Sequence, residues 1–496
     1  MSSHTEQEDG LDYYQIRLAK LQELKKLDLT LYPSSVTRTH RNEDLHNIYQ
    51  SLQNGNVTED KVTVCGRIMS IRNSGMFIDL YDDSGKIQIY SELKKLTEIN
   101  AKILDKLDIG DFIEVTGHIR RTPRGELTIN SETFNILAKA LLPFPDKYHG
   151  LHDVEMRYRQ RYIDLLSNPQ SKATILNRSK IITTIRNTLL EKDFLEVETP
   201  MLHPIAGGAM AKPFLTHHNA LDINLYLRIA PELYLKKLII GGLSEKIFEI
   251  NRCFRNEGIS TRHNPEFTSL ELYQAYVNYE SMIEIAELII KTVCEKVNNS
   301  LQIQFADKEL NFTSGWPRKS MASLVKEKTG IDFLNIKTEK EAHEAAKKVG
   351  VNITGKESWG KTLETVFAEK VEPHLIQPIH VTFLPKDISP LAKVCPEDNR
   401  LTERFETYIN GWEIANGFSE LNDPVEQRER FLQQADSKKA GEEETHEMDE
   451  DFLTALNYAM PPTSGLGIGI DRLVMIMTNS TSIREVIAFP TLKPKN

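Results

Sequence analysis

Two strings far apart in the chain carry residue types suited to gripping a nucleotide. One is Phe254-Arg255-Asn256-Glu257, followed by a short polar stretch and Phe267. The other is Gly465-Leu466-Gly467-Ile468-Gly469-Ile470-Asp471-Arg472. The second alternates Gly with apolar residues, a period of two that reads as a strand. Gly at every second position lets a ligand or another backbone lie flat against one face. Arg472 enters just beyond that surface, where a guanidinium can stack on a base or fork two phosphate oxygens. Together the strings describe a site that holds a nucleotide in a bent shape between Arg255 and Arg472.

The elements that position these residues belong to a chain of 496 residues, long enough for two or three domains. Hydrophobic content of 40% and charged content of 27% are ordinary for a soluble protein. Cys65, Cys253, Cys294 and Cys395 are scattered, which opposes a disulfide framework or a zinc site and fits a reducing compartment. No apolar run approaches a membrane span, and Met1 to Gly10 is too acidic for a secretory signal. A cytoplasmic protein with no membrane partner is expected. The net charge of −10 counts only mildly against a nucleic-acid partner, because binding depends on a local basic patch.

Residues 1–58 read as a polar tail, disordered over 1–10, followed by amphipathic helix. Tyr14, Leu18, Leu21, Leu24 and Leu27 mark the apolar face, with Lys and Arg on the other. Over 59–145 the text turns to five short β-branched runs, near 62–67, 76–80, 87–90, 112–115 and 127–129. With a helix near 91–107, this describes an OB-fold barrel, a fold that often binds single-stranded nucleic acid on one face. Beyond a hinge at Leu142-Pro143-Phe144-Pro145 lies a large mixed region, 146–496. It has helix patterns at 172–192 and 280–298 and a helical insertion at about 318–372. The acidic run 437–451 reads as a solvated helix start or loop.

The large region resembles the catalytic domain of the class II aminoacyl-tRNA synthetases. Asp193-Phe194-Leu195-Glu196-Val197-Glu198-Thr199-Pro200-Met201 is similar to that class's first motif, the Arg255/Glu257/Phe267 segment to its second, and Gly465–Arg472 to its third. The finer resemblance is to the lysyl-tRNA synthetase family. It rests on Gly207-Gly208-Ala209, Ala230-Pro231-Glu232-Leu233-Tyr234, Arg262-His263-Asn264-Pro265-Glu266-Phe267, Glu271-Leu272-Tyr273 and Asn416-Gly417-Phe418-Ser419-Glu420. Asp193 and Ala459 stand where Gly is usual in the family. The implied fold class is α+β, an N-terminal OB barrel followed by a catalytic domain with an antiparallel sheet flanked by helices.

The resemblance implies that L-lysine is activated with ATP and transferred to tRNA-Lys. Activation needs in-line positioning and charge neutralisation more than a proton-transfer base. Arg255 would hold the α-phosphate with the attacking carboxylate. Arg472 and Phe267 would stack on the base, Arg262 and His263 meet the phosphate tail, and Glu257 and Asn264 complete the polar contacts. Glu406 and Glu413 would bind Mg²⁺. Their odd spacing puts them on opposite faces of one strand, so a turn or bulge is required between them, and Asn410-Gly411 suits it. Lysine brings two ammonium groups, and a buried ammonium without a partner is costly. Glu420 with Tyr273 would take the ε-ammonium, and Glu232, Glu271 and the Gly208 backbone the α-ammonium. Asn416 and Phe418 would line the pocket. Glu420 opposes specificity for Asp or Asn, and the barrel opposes a paralogue that lysylates a protein. In the barrel, Phe77 would stack an anticodon base and Gln88 read beside it, with Arg67, Arg72 and Glu126 bordering the face. The segment around Pro200 implies a homodimer.

Overall fold

A computed structural model describes residues 2–27, 29–144, 153–209, 211–313, 315–439 and 448–494. It comprises two compact units, Met1–His152 and Asp153–Asn496.

In the first unit, alternation of buried and outward residues builds a closed barrel. Its strands are β1 (Val57–Arg72), β2 (Phe77–Tyr81), β3 (Lys86–Tyr90), β4 (Phe112–Arg121) and β5 (Leu127–Ala138), in the order β1-β2-β3-β5-β4. Val64, Ile68, Ile78, Leu80, Ile87, Ile89, Val115 and Ile129 fill the interior. A bulge between Ile68 and Ser70 bends β1, and another between Thr116 and Gly117 bends the β4–β5 pair. Gly117 is required there, since a Cβ would collide with the Asn130 carbonyl. The helix Glu98–Lys106, capped by Thr97, buries Ile103 and Leu104 against the barrel.

The first helix differs from expectation in two ways. It spans Ser2–Lys25, so it takes in most of the tail read as disordered. Once a helix is nucleated, adding residues costs little, and the packed Leu21 and Leu24 supply the anchor. Arg17, read as part of the polar face, is buried and donates to the carbonyls of Ile109, Ala140 and Leu142 at 3.0–3.2 Å. Those carbonyls lie outside the strands, and one guanidinium nitrogen, Nη1, reaches all three.

The strands of the second unit begin with β6 (Leu195–Glu196), β7 (Leu202–His203), β8 (Phe214–His218) and β9 (Ile223–Leu227). Next come the long hairpin of β10 (Lys246–Phe254) and β11 (Glu266–Ala275) and the short one of β12 (Gln302–Phe305) and β13 (Lys308–Asn311). β14 (Arg318–Ser320), β15 (Ile379–Thr382), β16 (Arg404–Ile409), β17 (Trp412–Ser419) and β18 (Thr463–Gly469) complete the set. Eight of these form one sheet in the order β14-β15-β16-β17-β18-β11-β10-β6, antiparallel except at its two edges. The helices Pro169–Leu190, Tyr279–Asn298 and Ile470–Met477 cover one face. Ile185, Met282, Ile289, Leu473 and Val474 pack there on Leu270, Phe405, Leu466 and Ile468. Asn168 and Asn278 cap the first two helices.

The insertion carries three helices, Met321–Thr329, Glu339–Lys348 and Trp359–Lys370, around its own core of Phe333, Ala346, Leu363 and Phe367. It is not wholly helical, because Arg318–Ser320 pairs parallel with β15 and hangs the insertion on the sheet edge. Of the acidic run, Glu442, Glu443, Glu444 and Glu447 lie outside the described residues. Asp449 caps the helix Glu450–Leu456 by accepting from the Phe452 N–H at 2.8 Å. Asp193 and Ala459 both take left-handed backbone, with φ of 63° and 73°. That conformation is the physical reason glycine suits these positions; Asp tolerates it better than Ala.

Candidate active site

Leu466 and Ile468 point into the helix-covered core, so the glycines that alternate with them face the opposite, open side. Strand register sets the side chains there in rows. Arg404, Phe418, Gly465 and Tyr273 form one row, and Glu406, Asn416, Gly467 and Glu271 the next. Each glycine on β18 is the low point of its row. Their roles differ, which the repeat alone did not reveal. A Cβ on Gly465 would collide with the Glu420 carboxylate and the Tyr273 ring, so this glycine makes room for side chains of the protein. A Cβ on Gly467 would make only ordinary contacts, the nearest at 3.7 Å, so this position borders open space.

Above the rows is a cavity of about 370 Å³. Its wall includes Gly208, Glu232, Arg255, Glu257, Arg262, His263, Asn264, Phe267, Glu271, Tyr273, Glu413, Asn416, Phe418, Glu420 and Arg472. Glu406 is the sequence-named residue of this site that does not reach the wall. It is buried one layer behind, where Arg404 donates to it at 2.6 Å and the Tyr408 hydroxyl at 2.7 Å.

At one end the guanidinium of Arg255 lies 5.1 Å from the Phe267 ring centroid, and its buried Nε has no partner. Arg472 donates to the Glu413 carbonyl at 2.8 Å and lies 3.0 Å from His263 Nε2. His263 must accept that bond, so it is neutral; burial and the neighbouring Arg472 hold it below the usual histidine range. Glu257 and Arg262 are exposed at the rim. Asn264 is occupied within the protein: its amide donates to the Glu266 carbonyl at 2.6 Å and its oxygen accepts from the Thr491 N–H at 3.3 Å. It therefore holds the loop in shape. Asp471 and Arg178 join the Arg255–Phe267 segment's strand to the Gly465–Arg472 string. Arg178 donates to Asp471 at 2.6 Å and to the Thr268 hydroxyl at 2.9 Å, while the Thr268 N–H donates to Asp471 at 2.7 Å.

At the other end Glu232, Glu271 and Glu420 converge with Tyr273, whose hydroxyl donates to Glu271 at 3.1 Å. Burial, then the nearby Glu232, pushes Glu271 up to about 8. Glu420 is also raised well above the usual carboxylate range, chiefly by burial. A fifth ionisable group here, a cation, escaped the sequence reading. Lys236 is fully buried, donates to Glu232 at 2.5 Å and forms an ion pair with Glu420.

Glu406 and Glu413 do lie on facing strands. The turn falls at Asn410 and Gly411, with φ of 56° and 67°, and the register shifts between Thr407 and Tyr408. Burial and the nearby Glu413 push Glu406 up to about 7. Glu413 presents a hard-oxygen carboxylate at the cavity wall, the kind of donor a dication takes, while both Glu406 oxygens are engaged by Arg404 and Tyr408 behind it.

On the barrel, Phe77, Gln88, Arg72 and Glu126 gather on the outward side of β2, β3 and the start of β5. Phe77 is not part of the interior core; its ring centroid lies 5.2 Å from that of Tyr90. Arg72 forks Asp79 at 2.7 and 3.0 Å. Arg67 is drawn away from this group. Its guanidinium stacks 4.1 Å from the Phe112 centroid and donates to the Gly110 carbonyl at 3.1 Å. Tyr90, with Arg120 stacked at 4.3 Å, is the aromatic on this face that the sequence reading missed.

Residues 153–493 match the model of the tRNA synthetases class II (D, K and N). The chain belongs to the class II tRNA synthetase family. Residues 62–137 match an OB-fold nucleic acid binding domain. Similarity to curated members of this family runs the full length. A lysine–tRNA ligase of Sinorhizobium medicae is 52% identical over 98% of this chain and 97% of its own. Lysine–tRNA ligases of Rhizobium leguminosarum bv. trifolii and Carboxydothermus hydrogenoformans are 50% and 52% identical, over 100% and 97% of this chain and 100% and 98% of theirs. No helix among the described residues is long and apolar enough to cross a membrane.

Proposed function

We propose that this synthetase activates L-lysine with ATP and transfers it to the 3′-terminal adenosine of tRNA-Lys. In the first step a lysine carboxylate oxygen attacks the α-phosphorus. The bond to the β-phosphate breaks, giving lysyl-adenylate and pyrophosphate. In the second, a ribose hydroxyl attacks the lysyl carbonyl and AMP leaves. The observation that carries the lysine assignment is the convergence of Glu232, Glu271 and Glu420 at one end of the cavity. A neutral or acidic amino acid would leave that charge unanswered.

Arg255, with its unpartnered Nε, is suited to hold the α-phosphate together with the attacking carboxylate. Phe267 and Arg472 take the two faces of the base, and His263 and Arg262 meet the phosphate tail. Glu257 supplies a rim contact, and Asn264 keeps the loop in shape. Glu420 and the Tyr273 hydroxyl receive the ε-ammonium. Glu232, Glu271 and the Gly208 backbone receive the α-ammonium, and Asn416 and Phe418 close the sides. Glu413, with Glu406 behind it, would hold Mg²⁺, which when bound offsets phosphate charge. On the barrel, Phe77 stacks an anticodon base, with Gln88, Arg72 and Glu126 beside it, and Arg67 braces the far edge. The exposed apolar Leu195, Met201 and Leu202 around Pro200 favour a homodimer joined through this segment. The cysteines, all unpaired, favour a cytoplasmic location. Amino-acid-dependent ATP–pyrophosphate exchange across the common amino acids tests the assignment. Exchange with lysine is the expected result, and exchange with another amino acid alone would overturn it.

A further inference from the structure

The amino-acid end of the cavity contains its own cation. Lys236 sits one helical turn after Glu232 on the helix Glu232–Ile240, and its side chain is wholly inaccessible to solvent. Its ammonium donates to Glu232 at 2.5 Å and pairs with Glu420. The rings of Phe418 and Phe452 flank it at 5.5 and 5.8 Å, so these two carboxylates are its charged neighbours. It does not line the cavity, so it touches no substrate.

The charge count is specific. Glu232, Glu271 and Glu420 carry three potential negative charges, and Lys236 answers one. Glu249, next along the Glu271 row, does not enter the count, because Arg228 already pairs with it at 2.7 Å. With all three ionised, as lysine binding requires, two negative charges remain, the number of ammonium groups on lysine. Without the buried cation the three crowded carboxylates would hold their protons more tightly still, and the amine would have to displace them.

Resting on the lysine reading above, we infer that Lys236 is a positioning residue for specificity: it aims Glu420 and Glu232 and sets the pocket's surplus charge at two. Substrate lysine then completes a network already half built, and an amino acid with a single ammonium leaves one carboxylate unanswered.

The test compares wild type, Lys236→Met, Lys236→Gln, Glu420→Gln and the Lys236→Met/Glu420→Gln double variant in lysine-dependent ATP–pyrophosphate exchange. Circular dichroism checks folding. Lys236→Met is expected to raise the lysine KM by about tenfold or more, with the ATP KM within about twofold. In the Glu420→Gln background the same change should have less than about half that effect on a logarithmic scale, because it acts through Glu420. Lys236→Gln fills similar space without the charge and should move in the same direction. An unchanged or lowered lysine KM, equal loss of lysine and ATP affinity, or full additivity would overturn the inference. So would failure of both Lys236 single variants to fold, which would make Lys236 a folding residue. If wild type itself shows no exchange with lysine, the functional reading fails instead.

Discussion

Replacing Glu420 by Gln removes one charge and almost no volume, so it isolates the electrostatic part of lysine recognition. Glu420 is 1% exposed, and it shares Lys236 with Glu232. A lysine ε-ammonium at this site would lose its anionic partner while remaining desolvated. Breaking a buried pair by removing one partner costs roughly 3–5 kcal/mol. The lower end applies here, because the new amide oxygen and the Tyr273 hydroxyl can still accept hydrogen bonds. About 3 kcal/mol corresponds to a loss of roughly 150-fold in kcat/KM for lysine. The loss should fall mainly on the lysine KM, because the side chain is held alike in ground and transition states. The ATP KM should be unchanged, since Arg255, Phe267 and Arg472 occupy the other end of the cavity. Steady-state ATP–pyrophosphate exchange measures all three quantities. A lysine KM within about threefold of wild type would refute the charge-pairing argument.

Phe77→Ala should weaken tRNA charging by the roughly 1–3 kcal/mol of one lost stack and leave ATP–pyrophosphate exchange intact; equal loss of both would return Phe77 to a structural role. Ala459→Gly relieves an alanine held at φ 73° and should stabilise the fold by about 1 kcal/mol, seen as a higher denaturation midpoint. Because Glu271 is raised from 4.5 to about 8, the folded pocket binds more protons than the unfolded chain between those values. Ligand-free stability from this group therefore falls as pH rises through that window. Lysine binding needs the carboxylate, so it should release a proton and tighten by up to about tenfold per pH unit below that pKa. Calorimetry in buffers of different ionisation enthalpy reads the proton directly, and pH-independent affinity would contradict it.

Much of the site was legible because its residues lie on strands with a strict period. Alternation in Gly465–Gly469 put the glycines on one face, and the odd spacing of Glu406 and Glu413 demanded the turn observed at Asn410-Gly411. The residues that escaped are those whose importance comes from burial. Lys236 follows Glu232 by four, a spacing that on a helix usually means a solvated pair. Only the sheet packed over that helix, with Glu420 arriving from beyond β17, turns it into a buried network. Arg178 and Asp471 are 293 residues apart, so no local pattern could join them. Arg67 shows the converse. Its place on an outward strand position was readable, but the ring of Phe112 on β4 draws its guanidinium away from Phe77.

A crystal structure of the protein with lysine and a non-hydrolysable ATP analogue tests the central claim most directly. The account places the ε-ammonium within hydrogen-bond distance of Glu420, with Lys236 still bridging Glu420 and Glu232, and the base between Phe267 and Arg472. An ε-ammonium directed to solvent, with Glu420 paired to Lys236 alone, would contradict it.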